Sequence, residues 1–162
     1  MVAVRPMYRA KQFFRAFRRR DPGAFVAVAQ AYLSPSQLAL FKQMSPYDQE
    51  HAVEVLSRLR RQGWRDAELM QAALLHDVGK AFVRSSLWRR VAHVLLWAAE
   101  TDDRPRGGYA RHAELGAEAA ERVGSPPEVV ALIRRHHAPL PLPPRDRLDD
   151  WLIALHVVDE MA

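Results

Sequence analysis

Seven histidines and the absence of cysteine set the chemistry open to this chain of 162 residues. Without thiols there is no disulfide scaffold, no thiolate nucleophile and no Cys-ligated zinc or iron–sulfur site. Any metal must be held by imidazole and carboxylate. The histidines are His51, His76, His93, His112, His136, His137 and His156, and apolar spacing singles out several of them. His51 shares a helical face with Val55, Leu56 and Leu59, the face that should be buried. Leu69, Met70, Ala73 and Leu74 lead to the pair His76-Asp77 at the buried end of the next helix. His112 opens a helix above Leu115, Gly116 and Ala119, and His136 ends another on the stripe of Val129, Leu132 and Ile133. Asp159 lies on the last helix, on the face of Leu152 and Leu155.

Burying carboxylates among imidazoles is unfavourable unless something compensates them. A divalent cation does so. Neutral imidazoles leave such an ion its Lewis acidity, while two carboxylates offset part of its charge. A carboxylate can also bridge two ions with its two oxygens, which suits Asp77. A bound ion acidifies water toward neutral pH, and a second ion can clamp a phosphoryl oxygen.

The elements that must position these residues read as helices throughout, and no stretch alternates like a strand for more than a few residues. The periodicity predicts helices near 7–19, 22–33, 35–43, 46–62, 66–77, 86–100, 113–123, 126–137 and 145–161. Asp21-Pro22, Ser34-Pro35, Ser45-Pro46, Asp66 and Ser125-Pro126 mark helix starts. Gly63, Gly79 and Gly124 fall where helix C-termini are expected. Thr101–Arg111 and the proline-rich Ala138–Pro144 read as loops. The fold class is all-α.

With 49% hydrophobic and 27% charged residues, wholesale disorder is excluded. No apolar run exceeds six residues, so the sequence offers neither a membrane span nor the core of a signal peptide, and the expected location is cytoplasmic. The net charge of +5 is concentrated at one end. Residues 1–20 hold seven basic side chains and no acid, leaving 17 basic and 19 acidic groups for residues 21–162, a net of −2. Wound as a helix, that segment gathers Met7, Ala10, Phe13, Phe14 and Phe17 on one arc. It reads as a basic amphipathic helix, either packed by its Phe face on its own domain or touching an anionic lipid, nucleic acid or acidic partner.

The segment AALLHDVGK (Ala72–Lys80) resembles the signature of the HD-domain superfamily, composed mostly of metal-dependent phosphohydrolases. That pattern has an early His, the His-Asp pair, two intervening His in binuclear members, and a late Asp. Here His51 in DQEHAVEVL, His76-Asp77, His112 in RHAELGAE, His136-His137 in LIRRHHAP and Asp159 in ALHVVDEMA match it in order. The resemblance covers residues 45–162, the HD-type metal-binding domain, with 1–44 as an N-terminal helical extension. It implies an HD-domain-like bundle of about seven to nine helices. It also implies a first metal site of His51, His76, Asp77 and Asp159, and a second of His112 and His136 bridged by Asp77. His137 shares or replaces ligation by His136 in different branches of the family. Lys80, from the family's HDxxK, is implied as a contact to substrate phosphate.

Three departures narrow the match. The family's frequent proline after the third His is Ala113 here. Tyr47 stands where some trinuclear members carry Glu, so a third metal is not expected. The GYP signature is absent after His136-His137, which argues against cyclic-di-GMP as substrate. The segment 82–100 looks like a poorly characterised bacterial branch.

The expected activity is hydrolysis of a phosphate ester or anhydride, of a nucleotide above all. It would use two divalent ions (Mn, Fe, Co, Ni or Mg), with Asp77 and Lys80 at the reacting centre. Arg84, Arg104, Arg106 and Arg111 are candidate phosphate contacts. Two other classes fit the same ligands: a di-iron oxygenase, and a metal-retaining sensor with little turnover. His93 reads as structural, and His156, one turn before Asp159, as a residue that could orient a ligand.

Overall fold

Prolines and short polar side chains start most of the helices. The computed structural model describes residues 22–82 and 108–162. These form α1 (Pro22–Gln30), α2 (Pro35–Phe41), α3 (Pro46–Arg61), α4 (Ala67–Leu75), α5 (Gly108–Arg122), α6 (Pro127–Arg135) and α7 (Arg147–Met161). Residues 79–82 are helical as well, and no strand occurs among the described residues. The protein is all-α, as its periodicity predicts. The helices expected over 7–19 and 86–100, with His93, Arg84, Arg104 and Arg106, lie outside the described residues.

Local chemistry explains the boundaries. Ser34 closes a reciprocal cap on α2: its Oγ accepts from Gln37 N at 3.3 Å, and Gln37 Oε1 accepts from Ser34 N at 2.9 Å. Ser45 caps α3 through Asp48 N at 3.2 Å, and Asp146 caps α7 through Asp149 N at 2.9 Å. Asp66 precedes α4 without a side-chain cap, because its carboxylate pairs with Arg147 of α7 instead. Pro126 is the cap residue of α6 and Pro127 its first helical residue, one position later than expected. Gly63 and Gly124 end α3 and α5 with φ of +98° and +75°, a conformation that suits glycine.

Two expectations fail. The helix predicted over 66–77 stops at Leu75, and His76–Val78 form a turn before helix resumes at 79. Gly79 is therefore not a helix C-terminus. It is small because the chain passes close by: a Cβ there would lie 1.8 Å from the His112 carbonyl oxygen and 2.7 Å from Gly116 N. The loop predicted over 101–111 is also too long, since α5 begins at Gly108. The proline-rich 138–144 segment is non-helical, as expected.

The core centres on α4, which packs against α2, α3, α6 and α7. Leu69, Met70, Ala72, Ala73, Leu74 and Leu75 are all buried, and only Glu68 and Gln71 give the helix a polar, half-buried side. Ala52, Val55, Leu56 and Leu59 of α3, Val129, Leu132 and Ile133 of α6, and Leu152, Leu155 and Val158 of α7 close around it. Phe41 and Leu38 of α2 and Ala29 of α1 join the same cluster. Each fully buried Leu or Phe contributes roughly 1.5–3 kcal/mol. Between α6 and α7, the buried Asp149 accepts from Arg145 Nε at 3.0 Å and Arg135 Nη2 at 3.1 Å, fixing the connection. Among the described residues no helix is long and apolar enough to cross a membrane.

Candidate metal centre

Because α4 runs through the middle of the domain, the turn at its end delivers His76 and Asp77 to the interior. His51 comes from α3, His112 from α5, His136 from the end of α6 and Asp159 from the last turn of α7. His76 and His136 are each the C-cap of their helix, and each turns its Nδ1 back onto a carbonyl three residues earlier. Those contacts are 2.9 Å to Ala73 O and 2.6 Å to Ile133 O. Helix ends leave such carbonyls without partners. Donation by Nδ1–H puts the ring proton there and leaves Nε2 as a lone pair aimed inward.

Asp77 divides these donors into two groups. Its Oδ2 lies 3.4 Å from His76 Nε2, 4.0 Å from His51 Nε2 and 2.5 Å from Lys80 Nζ. Its Oδ1 lies 3.4 Å from His112 Nε2 and 3.9 Å from His136 Nε2. Asp159 Oδ1 completes the first group, 2.7 Å from His51 Nε2 and 3.3 Å from His76 Nε2. In the second group, His112 Nε2 lies 3.4 Å from His136 Nε2 and 3.2 Å from His137 Nε2. Donor atoms of His51, His76 and Asp77, and separately of Asp77, His112, His136 and His137, all lie within 4.8 Å of one another.

These donors fit divalent ions. Two ligands about 2.1 Å from one ion stand roughly 3.0–3.4 Å apart in octahedral or tetrahedral arrangement, close to most of the spacings here. His76 Nε2 is completely buried and forms no well-made hydrogen bond, although two carboxylate oxygens lie near it. A buried polar atom in that position lacks a partner. With Nδ1 of His136 committed to Ile133, its Nε2 lone pair faces the His112 ring nitrogen, a contact that a shared cation would relieve.

The electrostatics agree. Burial alone would lower His76, but Asp77 and Asp159 reverse this and raise it to about 10. Burial works to raise Asp77 and Asp159, yet the surrounding imidazoles, with Lys80 at Asp77, hold both well below the usual carboxylate range. His136 is lowered to about 3, first by burial and then by His76; His137 is lowered by burial and His112. Burial opposes the charge on Lys80, but Asp77 raises it above the ordinary lysine value. The result is ionised carboxylates beside His136 and His137, which resist protons, and beside His76, whose proton the two carboxylates hold in the place where a cation would be held.

One side of the cluster is open. The side chains of His51, Asp159 and Lys80 keep 17%, 20% and 35% exposure, and His137 stands at the exposed edge. A shallow cleft lined by Tyr47, Glu50 and Glu54 adjoins His51. Lys80 is engaged with Asp77 and is not merely a solvated lysine after a helix end. Arg111 is exposed at the start of α5. His156 does not reach Asp159: its Nδ1 lies 3.2 Å from the His136 carbonyl. Sequence reasoning misses the contact of Gly79 with Gly116, where a Cβ on Gly116 would meet Gly79 N at 3.1 Å. A signal was available, since His76 and His112 are each followed by a glycine within about one helical turn.

No curated protein and no solved structure matches the chain. A family comparison does: the HD domain model matches residues 49–159, a stretch that opens just ahead of His51 and closes on Asp159. A match over well more than half the sequence, enclosing both donor groups, means that the chain belongs to the HD domain family.

Proposed function

We propose that the protein is a metal-dependent phosphohydrolase that cleaves a phosphate ester or anhydride in a small phosphorylated substrate such as a nucleotide. The observation that carries this reading is Asp77, whose two oxygens face different imidazole groups with the Lys80 ammonium beside them. His51, His76, Asp77 and Asp159 would hold one ion. His112 and His136, with His137 at their edge and Asp77 shared, would hold a second. When bound, Mn, Fe, Co, Ni or Mg ions supply Lewis acidity, lowering the pKa of water and withdrawing charge from a phosphoryl oxygen.

The chain's own residues supply the rest. Asp77 sets the spacing of the two groups. Lys80 lies on the open side and presents an ammonium to a phosphate oxygen while still leaning on Asp77. In the overall reaction a water oxygen forms a new bond to phosphorus, the bond to the leaving oxygen breaks, and that oxygen takes up a proton. Support comes from the family membership and from the donor geometry.

The test is metal analysis of the purified protein, then a screen of nucleotides and generic phosphodiesters with Mn²⁺, Fe²⁺, Co²⁺ and Mg²⁺. Hydrolysis, read as released alcohol, monoester or phosphate according to the substrate, that depends on metal and vanishes in Asp77→Ala supports the reading. Dioxygen consumption by the iron-loaded protein without hydrolysis would replace it with oxidative chemistry. Tight metal binding with no turnover on any substrate would favour a sensor.

A further inference from the structure

His136 and His137 are adjacent, both reach His112, and something must decide how the pair presents its nitrogens. The peptide between them is the control point, because rotating it moves both rings. Their centroids are 3.9 Å apart with a 44° tilt, and both Nε2 atoms converge on His112 Nε2. The carbonyl of that peptide belongs to His136, at the C-terminus of α6, where helix geometry provides no partner.

The partner comes from α7. His156 Nδ1 lies 3.2 Å from the His136 carbonyl oxygen, across 20 positions of sequence. Its other nitrogen, Nε2, lies 3.2 Å from Glu160 Oε1, one turn further along the same helix. Flipping the ring would carry Nδ1 away from that carbonyl and Nε2 away from the carboxylate. On its other side the His136 ring is tied to Ile133 O.

We propose that His156, oriented by Glu160, is a positioning residue that clamps the His136–His137 peptide and so fixes the donor geometry of the second metal position. The proposal rests on the binuclear reading above. It gives α7 two tasks: three residues after His156, the same helix presents Asp159 to His51 and His76. One rigid element thus sets the ligands of both groups. Metal affinity depends on ligand placement to within a few tenths of an ångström, so a loosened peptide should be felt at the ion.

The test compares His156→Phe, which keeps a ring and removes both polar contacts, with His156→Asn, whose amide can donate where Nδ1 did. Mn²⁺ titrations with metal counting would be run beside ring ¹H–¹⁵N spectra of the metal-free proteins. His156→Phe should keep the first ion, weaken the second by roughly tenfold to a hundredfold, and displace the His136 and His137 ring signals. His156→Asn should recover most of both. Wild-type affinity for the second ion in His156→Phe, or unmoved ring signals, overturns the proposal. Should His156→Phe not fold, Glu160→Gln at its exposed position serves instead: a few-fold weaker second ion with displaced ring signals is expected, and wild-type behaviour refutes the clamp. If the wild-type protein itself holds a single ion, the binuclear reading fails, while the ring signals still decide whether the clamp exists.

Discussion

Five imidazoles and two carboxylates define the site's behaviour toward protons, and the signs can be worked out residue by residue where a shift is resolved. His76 rises from 6.5 to about 10, so in metal-free protein its stabilising contribution is full below pH 6.5 and is lost as pH rises through 10. His136 falls from 6.5 to about 3, so below pH 6.5 the unfolded chain takes up a proton that the folded one refuses, and stability declines. Asp77 and Asp159 are depressed below 3.8, and their contribution is present above that value and fades in stronger acid. The metal-free melting temperature is therefore expected to peak near pH 6.5 and to fall on both sides. Bound metal replaces the His76 proton and should remove the alkaline decline. Calorimetry at pH 5, 6.5 and 8.5, with chelator and with Mn²⁺, checks both. A second expectation concerns charge alone: Asp77→Asn keeps the shape but should lower metal content at least tenfold, read by elemental analysis. Six of the site residues were legible because each ends or interrupts an apolar stripe. His137 was not resolved from His136, since adjacent positions at a helix end differ by a peptide rotation that no periodicity reports. His156 was expected to orient a ligand, but its contact with the His136 carbonyl was hidden, because spacing along one helix cannot reveal a partner on another.

At the scale of elements, the crossing of the 76–82 segment with α5 controls the distance between the two donor groups. Gly79→Ala would drive a Cβ into the His112 backbone, which cannot rotate away as a side chain would. It should cost about 1–3 kcal/mol through overpacking and release the second ion before the first, because His112 is pushed off Asp77. Gly63→Ala is the control. It strains a φ of +98° but meets nothing within 4 Å, so it should cost about 1 kcal/mol and leave metal content unchanged. Thermal melts and metal counts on the two variants separate backbone strain from site geometry. Helix starts were legible from Ser34-Pro35 and Ser45-Pro46, whereas the Asp146 cap of α7 was not singled out because the helix was expected to begin at 145. The turn at His76–Val78 was hidden because Leu-His-Asp-Val continues the apolar rhythm of α4 without a break. The early start of α5 was hidden too, since Gly107-Gly108 signals a loop locally and tertiary packing overrides that signal.

For the whole molecule, five helices supply the proposed ligands: the first ion would tie α3 and α7 to the end of α4, and the second would tie α5 and α6 to it. At a free concentration a hundredfold above its dissociation constant, one ion adds about 2.7 kcal/mol, or roughly 5–10 °C for a domain of this size. A chelator should lower the melting temperature by that order in the wild type and have no effect on Asp77→Ala. Charge is distributed differently. Residues 1–20 carry all of the positive excess, and no proposed ligand comes before His51. Their deletion should leave metal content and hydrolysis of a small phosphodiester unchanged. Any binding to anionic vesicles should fall, most steeply at low salt. Vesicle sedimentation across a salt series, run beside the enzyme assay, tests this. The all-α class and the order of the site residues were plain in the sequence. The central placement of α4 was not, because it depends on which apolar faces meet.

The shortest link in the first donor group, His51 to Asp159, spans 108 positions. Contacts of such long range form late, after nearer ones have paid the entropy of closure. The site is therefore absent from the folding transition state if nucleation is local, and ions act only after the barrier has been crossed. Saturating Mn²⁺ should slow unfolding in proportion to the added stability while refolding keeps its metal-free rate, a division that stopped-flow chevrons resolve. A growing chain likewise has no complete first group until Asp159 in the final turn of α7 has been synthesised, so an ion held there cannot guide the folding of the helices that precede it.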